Sequence, residues 1–317
     1  MAADRERVER AMLDAVRTSD DYLTEIASHL ISAGGKRLRP VMTIVASLAA
    51  EAEPTAASND AIQGGIACEL VHLGSLYHDD VMDEAETRRG VETVNAKWGN
   101  LQAILAGDFL LARASEIAAS LGTEVAGLLA GTIGRLCEGQ IEELRFTYNP
   151  ARTVESYLAS IEGKTASLYG TAARIGGLVA GHDRAVVDAL TAYGTAYGMV
   201  FQIVDDILDL TSTDAELGKP AGHDMVEGVY TLPVMYTLAE GGAAADELRR
   251  MLGRPLNRRK QRRALDIVRG GNGIEKSVAM AHDFVARAER ACDVLPATPA
   301  TQALRLAASA LLASAPR

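Results

Sequence analysis

Residues 123–146 read TEVAGLLAGTIGRLCEGQIEELRF, and they decide the secondary structure of the chain. Val125, Leu128, Leu129, Ile133, Leu136, Ile141 and Leu144 recur mostly at three- and four-residue intervals, roughly the spacing of one helix face. The same spacing continues outward. In 101–120, Leu101, Leu105, Phe109 and Ala112 fall near one stripe, and 187–210 and 274–292 also read as helices. No proline lies between Pro54 and Pro150 or between Pro150 and Pro220. Both spans are therefore free of the residue most hostile to helix interiors. Breaks at Trp98-Gly99-Asn100, Ser120-Leu121-Gly122 and Gly181-His182-Asp183 cut them into helix-sized pieces. There is no βαβ rhythm and no repeat. The expected fold is all-α, with about ten helices of the usual roughly 10–20 residues. Residues 1–317 are expected to form one domain, more broken in its C-terminal third by Gly241-Gly242 and Gly270-Gly271-Asn272-Gly273.

Composition agrees and excludes several classes. The chain has 317 residues, 48% hydrophobic but only 4% aromatic, so its core is aliphatic, which favours helices over sheets. A formal net charge of -10 argues against a nucleic-acid binder held by phosphate contacts. Cys68, Cys137 and Cys292 lack CxxC spacing, which points to a reducing, cytoplasmic compartment without structural zinc or disulfides. The N-terminus is charged from Asp4, so no signal peptide is expected. No apolar run approaches the roughly 18 residues of a membrane span.

Two aspartate clusters carry the chemistry: His-Asp-Asp-Val-Met-Asp at 78–83 and Val-Asp-Asp-Ile-Leu-Asp at 204–209. On a helix, Asp79 and Asp83 share a face, as do Asp205 and Asp209, with Asp80 and Asp206 about 100° around the axis. Like charges at that spacing destabilise a helix and raise one another's pKa. Both clusters sit inside apolar stretches, unlike a solvated face. Mg2+ supplies a reason for them, since it takes carboxylate oxygens and completes its shell with water or substrate phosphate. Two facing clusters would hold metals and a diphosphate between them.

Cations gather near the first cluster. Gly34-Gly35-Lys36-Arg37-Leu38-Arg39-Pro40 places three around a Gly-Gly turn, and Arg88-Arg89-Gly90 follows the aspartates directly. Arginine forks match phosphate oxygens, and lysine acts as a point charge.

In this order and spacing, the motifs resemble those of the trans-polyprenyl diphosphate synthases. The resemblance covers about residues 30–240. It rests on GGKRLRP, DDVMD followed by RRG, Glu138-Gly139-Gln140, Lys164-Thr165, and FQIVDDILD with Gly218-Lys219-Pro220 downstream. It implies a large helical bundle around a central cavity, usually a homodimer, joining isopentenyl diphosphate to an allylic diphosphate. Lys36, Arg39, His72 and Arg89 would then hold the isopentenyl diphosphate. Arg88, Lys164, Thr165, Gln202 and Lys219 would contact the allylic substrate. Asp79, Asp83 and Asp205 would be the leading Mg2+ ligands, supported by Asp80, Asp206 and Asp209, with three ions per site. Asp79, Asp83, Asp205, Lys164 and Arg88 would carry catalysis. One departure stands out: Glu227-Gly228 is followed by Val229, where many members have a lysine.

Product length is read from the helix before Asp79. Ser75, Val71, Cys68 and Gly64 lie near the same face as Asp79, with Gly74 adjacent, and all are small or modest. Short-chain synthases often carry an aromatic four or five residues before the first Asp, where this chain has Ser75 and Gly74. From 64 to 79 such a helix is about 22 Å long. A medium-to-long product is expected, such as a quinone side-chain precursor, with Phe109 and Leu110 as alternative floor residues. The opposing reading is that Gly74 and Ser75 simply permit close helix packing.

Rival readings are weaker. A shorter farnesyl- or geranylgeranyl-type product is the nearest. A non-catalytic subunit or a terpene cyclase would usually lack one of the aspartate motifs, and a His78-Asp79 phosphohydrolase leaves the second motif unexplained. A di-iron bundle needs an inward Glu-x-x-His on each of two helices, and Glu69-Leu70-Val71-His72 is the single such spacing in the chain. The basic run 254–263 reads as a solvated helix surface, with a peripheral contact to anionic membranes as its second reading.

Overall fold

The computed structural model describes residues 2–53, 56–212 and 221–315. Among them, regular structure is helical except for one two-residue antiparallel hairpin, β1 (Thr87–Arg88) and β2 (Val91–Glu92). The chain forms two compact units that interleave along the sequence. One comprises Met1–Ile133, Thr171–Thr191 and Val294–Gln302; the other comprises Gly134–Gly170, Ala192–Asp293 and Ala303–Arg317.

The first unit contains α1 (Ala2–Ala15), α2 (Asp21–Ser32), α3 (Leu38–Ser47), α4 (Asn59–Met82), α5 (Val94–Trp98) and α6 (Asn100–Ser120), and the start of α7 (Thr123–Arg145). Helix α4 is its centre. Ser58 caps it by accepting the Ala61 N–H at 3.1 Å, and Asp60 complements the positive helix end. Ile66, Leu70, Val71, Leu73 and Tyr77 are all fully buried. Because neighbours cover it almost all round, α4 lacks a clean apolar stripe. The approach to α6 is close: a Cβ on Gly74 would lie 3.0 Å from the Gly107 carbonyl oxygen and 3.2 Å from Leu111 Cγ. Tyr77 ties α4 to α2, donating to the Ile26 carbonyl at 2.8 Å and accepting from Leu30 N at 3.4 Å. That anchor fixes the helix two residues before Asp79.

The second unit contains the rest of α7, α8 (Val154–Ile161), a π-helical turn over Glu162–Ala166, the start of α9 (Ser167–Val179) and most of α10 (Arg184–Thr211). Further on come α11 (His223–Glu227), α12 (Leu232–Ala239), α13 (Gly242–Met251), α14 (Arg258–Gly270), α15 (Gly273–Ala291) and most of α16 (Pro299–Leu312). An aliphatic core of Leu210, Met225, Val234, Leu248, Leu265 and Val268 holds α10 to α11–α14. Arg269 Nε donates to the Leu210 carbonyl at 2.6 Å, satisfying the C-terminal end of α10.

The structure departs from the sequence expectation on one face. The stripe on α6 points outward, with Leu101 75% and Leu105 66% exposed, while Ala103, Ala106, Leu110 and Ala114 are buried. Close packing on α4 selects the small residues for the inner face. On α7, Val125 and Leu129 are buried but Ile141 and Leu144 are exposed. No helix among the described residues is long and apolar enough to cross a membrane. The three cysteines are free, Cys68 and Cys292 buried and Cys137 exposed.

Candidate functional site

Both aspartate motifs occupy the last turns of their helices, the first on α4 and the second on α10, and neither helix has a basic residue in its last turn. A helix C-terminus carries the negative end of the macrodipole, so carboxylates there are doubly disfavoured. Neither motif is explained by folding. A cation at each helix end would offset both costs.

The two motifs share a buried second aspartate and differ at the third, exposed in Asp83 and buried in Asp209. Asp79 is half-buried and Asp83 exposed on α4, and Asp205 is exposed on α10. The second aspartate of each motif is instead buried and held by the protein. Asp80 is fully buried, and its Oδ1 accepts from Arg88 Nε at 2.5 Å. Its Oδ2 is buried with no hydrogen-bond partner among the described residues. Burial raises the Asp80 pKa, and Arg88 opposes that rise. Asp206 accepts from the Tyr157 hydroxyl at Oδ2 and from Gln202 Nε2, 2.8 Å away, at Oδ1. Burial pushes its pKa well above the usual carboxylate range, with the Asp224 charge adding to the rise. Asp209 is also buried; its Oδ2 accepts the Asp224 backbone N–H at 3.4 Å. Lys219 lies outside the described residues.

The donor set fits a hard divalent cation. Outward carboxylates, an orphaned oxygen on Asp80 and the dipole ends all offer oxygen or negative potential. No group of three His, Cys, Asp or Glu among the described residues encloses a metal alone.

The cations of the first unit are arranged with a division of labour. Gly34 and Gly35 adopt φ of +89° and +152°, and a Cβ on Gly35 would lie 3.0 Å from Arg37 Nη1 and 3.1 Å from Arg89 Nη1. The positive φ at both positions favours glycine, and the bare Gly35 leaves room for two guanidinium groups beside the turn. Arg37 turns inward, 2% exposed, and binds Glu9 through Nε at 2.8 Å and Nη2 at 3.0 Å. It also donates to Glu69 at 3.4 Å and to the Ile31 carbonyl at 2.8 Å. It is a strut for the turn. Arg89 donates to the carbonyls of Leu30, at 3.1 Å, and Gly34. Lys36 is exposed and Arg39 buried. His72 is held well below the usual imidazole range, by burial first and then by Arg39, Arg89, Arg88 and Arg37. It is a neutral imidazole amid positive charge. Glu69, one turn before it, is the buried counter-charge.

In the second unit a backbone contact positions Lys164. A Cβ on Gly139 would lie 2.5 Å from Lys164 N and 2.7 Å from the Ser160 carbonyl oxygen. Only glycine lets α7 and the π-helical turn touch. Lys164 Nζ then donates to Glu143 Oε1 at 2.8 Å, one turn beyond Gly139. Thr165 Oγ1 donates to Gln202 Oε1 at 2.8 Å, so Thr165, Gln202, Asp206 and Tyr157 form one chain. Arg152, 6% exposed, lies 5.7 Å from the Tyr157 ring centroid and donates to Ser160 Oγ at 2.6 Å. Tyr157, Arg152, Glu69 and Asp224 were not read from the sequence. Tyr157 had one signal: it stands seven residues, two turns, before Lys164.

Of the product-length residues, Cys68 and Val71 are fully buried, and Ser75 is half-buried with Oγ on the His72 carbonyl at 2.9 Å. The space beside Gly74 is taken by Gly107 and Leu111 of α6, so this glycine serves close helix packing. Leu111 joins the candidates for the floor. His78 packs against the same helix, its Nε2 3.2 Å from the Ile104 carbonyl oxygen, in a structural contact.

The chain resembles known proteins along nearly its whole length. The Polyprenyl synthetase family pattern matches residues 20–268. The nonaprenyl diphosphate synthase of Mycobacterium tuberculosis is 40% identical over 299 residues, covering 94% of this chain and 88% of that protein. Component 2 of the heptaprenyl diphosphate synthase of Geobacillus stearothermophilus is 38% identical over 306 residues, covering 96% and 92%. A polyprenyl synthase of Caulobacter crescentus, solved with calcium and isoprenyl diphosphate, superimposes with a TM-score of 0.92 at 33% identity, covering 99% of this chain and 96% of that one. Helix-borne aspartate motifs, a cationic cluster beside the first and this likeness along nearly the whole chain have one meaning: the chain belongs to the polyprenyl synthetase family, as a prenyl-transferring enzyme of the medium- to long-chain polyprenyl diphosphate synthase type.

Proposed function

We propose that this enzyme condenses isopentenyl diphosphate with an allylic diphosphate in a Mg2+-dependent reaction, and that 1–317 acts as one domain. The observation that carries the reading is the pair of aspartate clusters at the negative ends of α4 and α10. Lys36, Arg39, Arg89 and neutral His72 bind the isopentenyl diphosphate. Arg88, Lys164, Thr165, Gln202 and Lys219 bind the allylic diphosphate. Asp79, Asp83 and Asp205, supported by Asp80, Asp206 and Asp209, would hold Mg2+, three ions per site, which would supply Lewis-acid neutralisation of the leaving diphosphate.

The residues supply orientation. Asp80 keeps Arg88 in place, Glu143 holds Lys164, and Asp206 is fixed by Tyr157 and Gln202. The allylic C–O bond breaks, and the isopentenyl double bond attacks the resulting cation. The new C–C bond forms, and the released diphosphate takes the proton that is lost. No protein base is needed.

The product is a medium-to-long polyprenyl diphosphate suited to a quinone side chain, made in the cytoplasm. The exposed apolar face of α6, Leu101, Ile104 and Leu105, supports a homodimer. A second reading, in which the chain is one component of a two-component synthase, is favoured by the name of the Geobacillus relative.

The test is incubation of the purified chain with labelled isopentenyl diphosphate and each allylic primer, with and without Mg2+. A product ladder from this chain alone supports the first reading. An absolute need for a second chain supports the other. Asp79→Ala should abolish Mg2+-dependent condensation, and retained activity would refute the metal assignment.

A further inference from the structure

The α13–α14 region carries a charge pattern that catalysis does not use. Between 249 and 263 there are eight basic residues and no acidic one, in a chain whose formal net charge is -10. Arg249 is paired with Asp246 at 2.9 Å, and Arg263 with Glu247 at 2.7 Å. Arg250, Arg254, Arg258, Arg259 and Arg262 are exposed and have no ion-pair partner among the described residues.

Folding does not account for this. Helix α14 buries one face through Ala264, Leu265, Ile267 and Val268, and Asn257 caps it by accepting the Lys260 N–H at 3.0 Å. Arg258, Arg259 and Lys260 then fill its first turn, with no acidic residue there. That is the positive end of the macrodipole, where cations are disfavoured. The patch is kept against its local cost to the helix.

We propose that this exposed face of α13–α14 docks the enzyme on an anionic phospholipid surface. Charge complementarity selects an anionic partner. A lipid surface is favoured over nucleic acid because it meets this face alone, whereas the acidic remainder of the chain repels a long polyanion. The product class also suits a lipid surface, because a polyprenyl diphosphate is an anionic head on a long apolar tail. No large hydrophobic residue of this stretch is exposed. The contact is therefore electrostatic rather than inserted, and salt should release it.

The experiment is sedimentation of the full-length enzyme with phosphatidylcholine vesicles, with or without phosphatidylglycerol, across a salt series and without substrate. Because no turnover is needed, its outcome is independent of the catalytic reading. Binding is expected only to the phosphatidylglycerol vesicles and should fall as salt rises. Neutralising Arg258, Arg259 and Arg262 to Gln should weaken it on the order of a hundredfold, at roughly fivefold per charge. The same neutralisation at exposed Arg10, Arg17 and Arg290 should leave most of it, and condensation in vesicle-free buffer should be unchanged in both variants. Equal binding of the two triple variants, equal binding to both vesicle types, or preferential capture of a duplex oligonucleotide over the anionic vesicles would overturn the proposal.

Discussion

Tyr157→Phe removes one hydroxyl and nothing else of the side chain's shape. Tyr157 is 2% exposed and Asp206 3%, so no water replaces the lost donor. Asp206 Oδ1 keeps Gln202 at 2.8 Å, while Oδ2 is left buried and unsatisfied. Leaving a buried acceptor unpaired costs about 1–3 kcal/mol. Burial and the Asp206 charge both push the Tyr157 phenol pKa up, so the proton stays on the tyrosine and the hydroxyl is the donor. Urea unfolding, followed by circular dichroism and by tyrosine fluorescence, measures the loss where the two probes coincide. A double-mutant cycle with Asp206→Leu should return a coupling of about 1–3 kcal/mol, because the leucine has no acceptor to orphan. Since Asp206 also fixes Gln202, kcat/KM for the allylic substrate should fall more than that for isopentenyl diphosphate. A stability change within about 0.5 kcal/mol together with an additive cycle would show that Tyr157 does not hold Asp206.

Gly139→Ala places a methyl 2.5 Å from Lys164 N and should cost about 1–3 kcal/mol while raising KM for the allylic diphosphate, read by thermal unfolding and steady-state kinetics. Ser75→Phe should shorten the products on reversed-phase chromatography; an unchanged ladder places the floor elsewhere, with Leu111 the next residue to enlarge. His72 has a folded pKa well below its unfolded value near 6.5. The unfolded state therefore binds more protons just below pH 6.5, and stability falls as the pH drops from there toward the folded pKa. Above pH 6.5 the His72 contribution is constant. His72→Gln should flatten that acid slope relative to the wild type in unfolding curves taken at several pH values.

Helix positions were legible because glycines punctuate them. The segments expected at 101–120, 187–210 and 274–292 are Asn100–Ser120, Arg184–Thr211 and Gly273–Ala291. The inward face of α6 was not legible, since apolar spacing marks an amphipathic stripe without saying what covers it. On α6 Leu101 and Leu105 face out, while Ala103, Ala106, Leu110 and Ala114 face in. Motif residues were legible because chemistry forces unusual residue types together, as in the two aspartate runs. Their supports were not. Tyr157 meets Asp206 across 49 positions, and Arg37 meets Glu69 across 32. Nothing local in either segment encodes those partners. Arg37 shows the limit well: in the sequence it is one of three adjacent cations, and only its left-handed backbone, with φ of 51°, and its burial distinguish it from Lys36.

The π-helical turn at Glu162–Ala166 has a consequence for which sequence changes this site tolerates. A π-turn holds one more residue than the α-turn it replaces, so deleting one residue there would let α8 run straight into α9 as ordinary helix. The residues inside the turn would be re-registered by about 100°, while the helix beyond it kept its facing. Lys164 would lose Glu143, and Thr165 would lose Gln202, without a single side chain having been substituted. Length variation is therefore barred across these five positions even where substitution is permitted, and an aligned relative with a gap here would have had to rebuild its lysine contact from another helix.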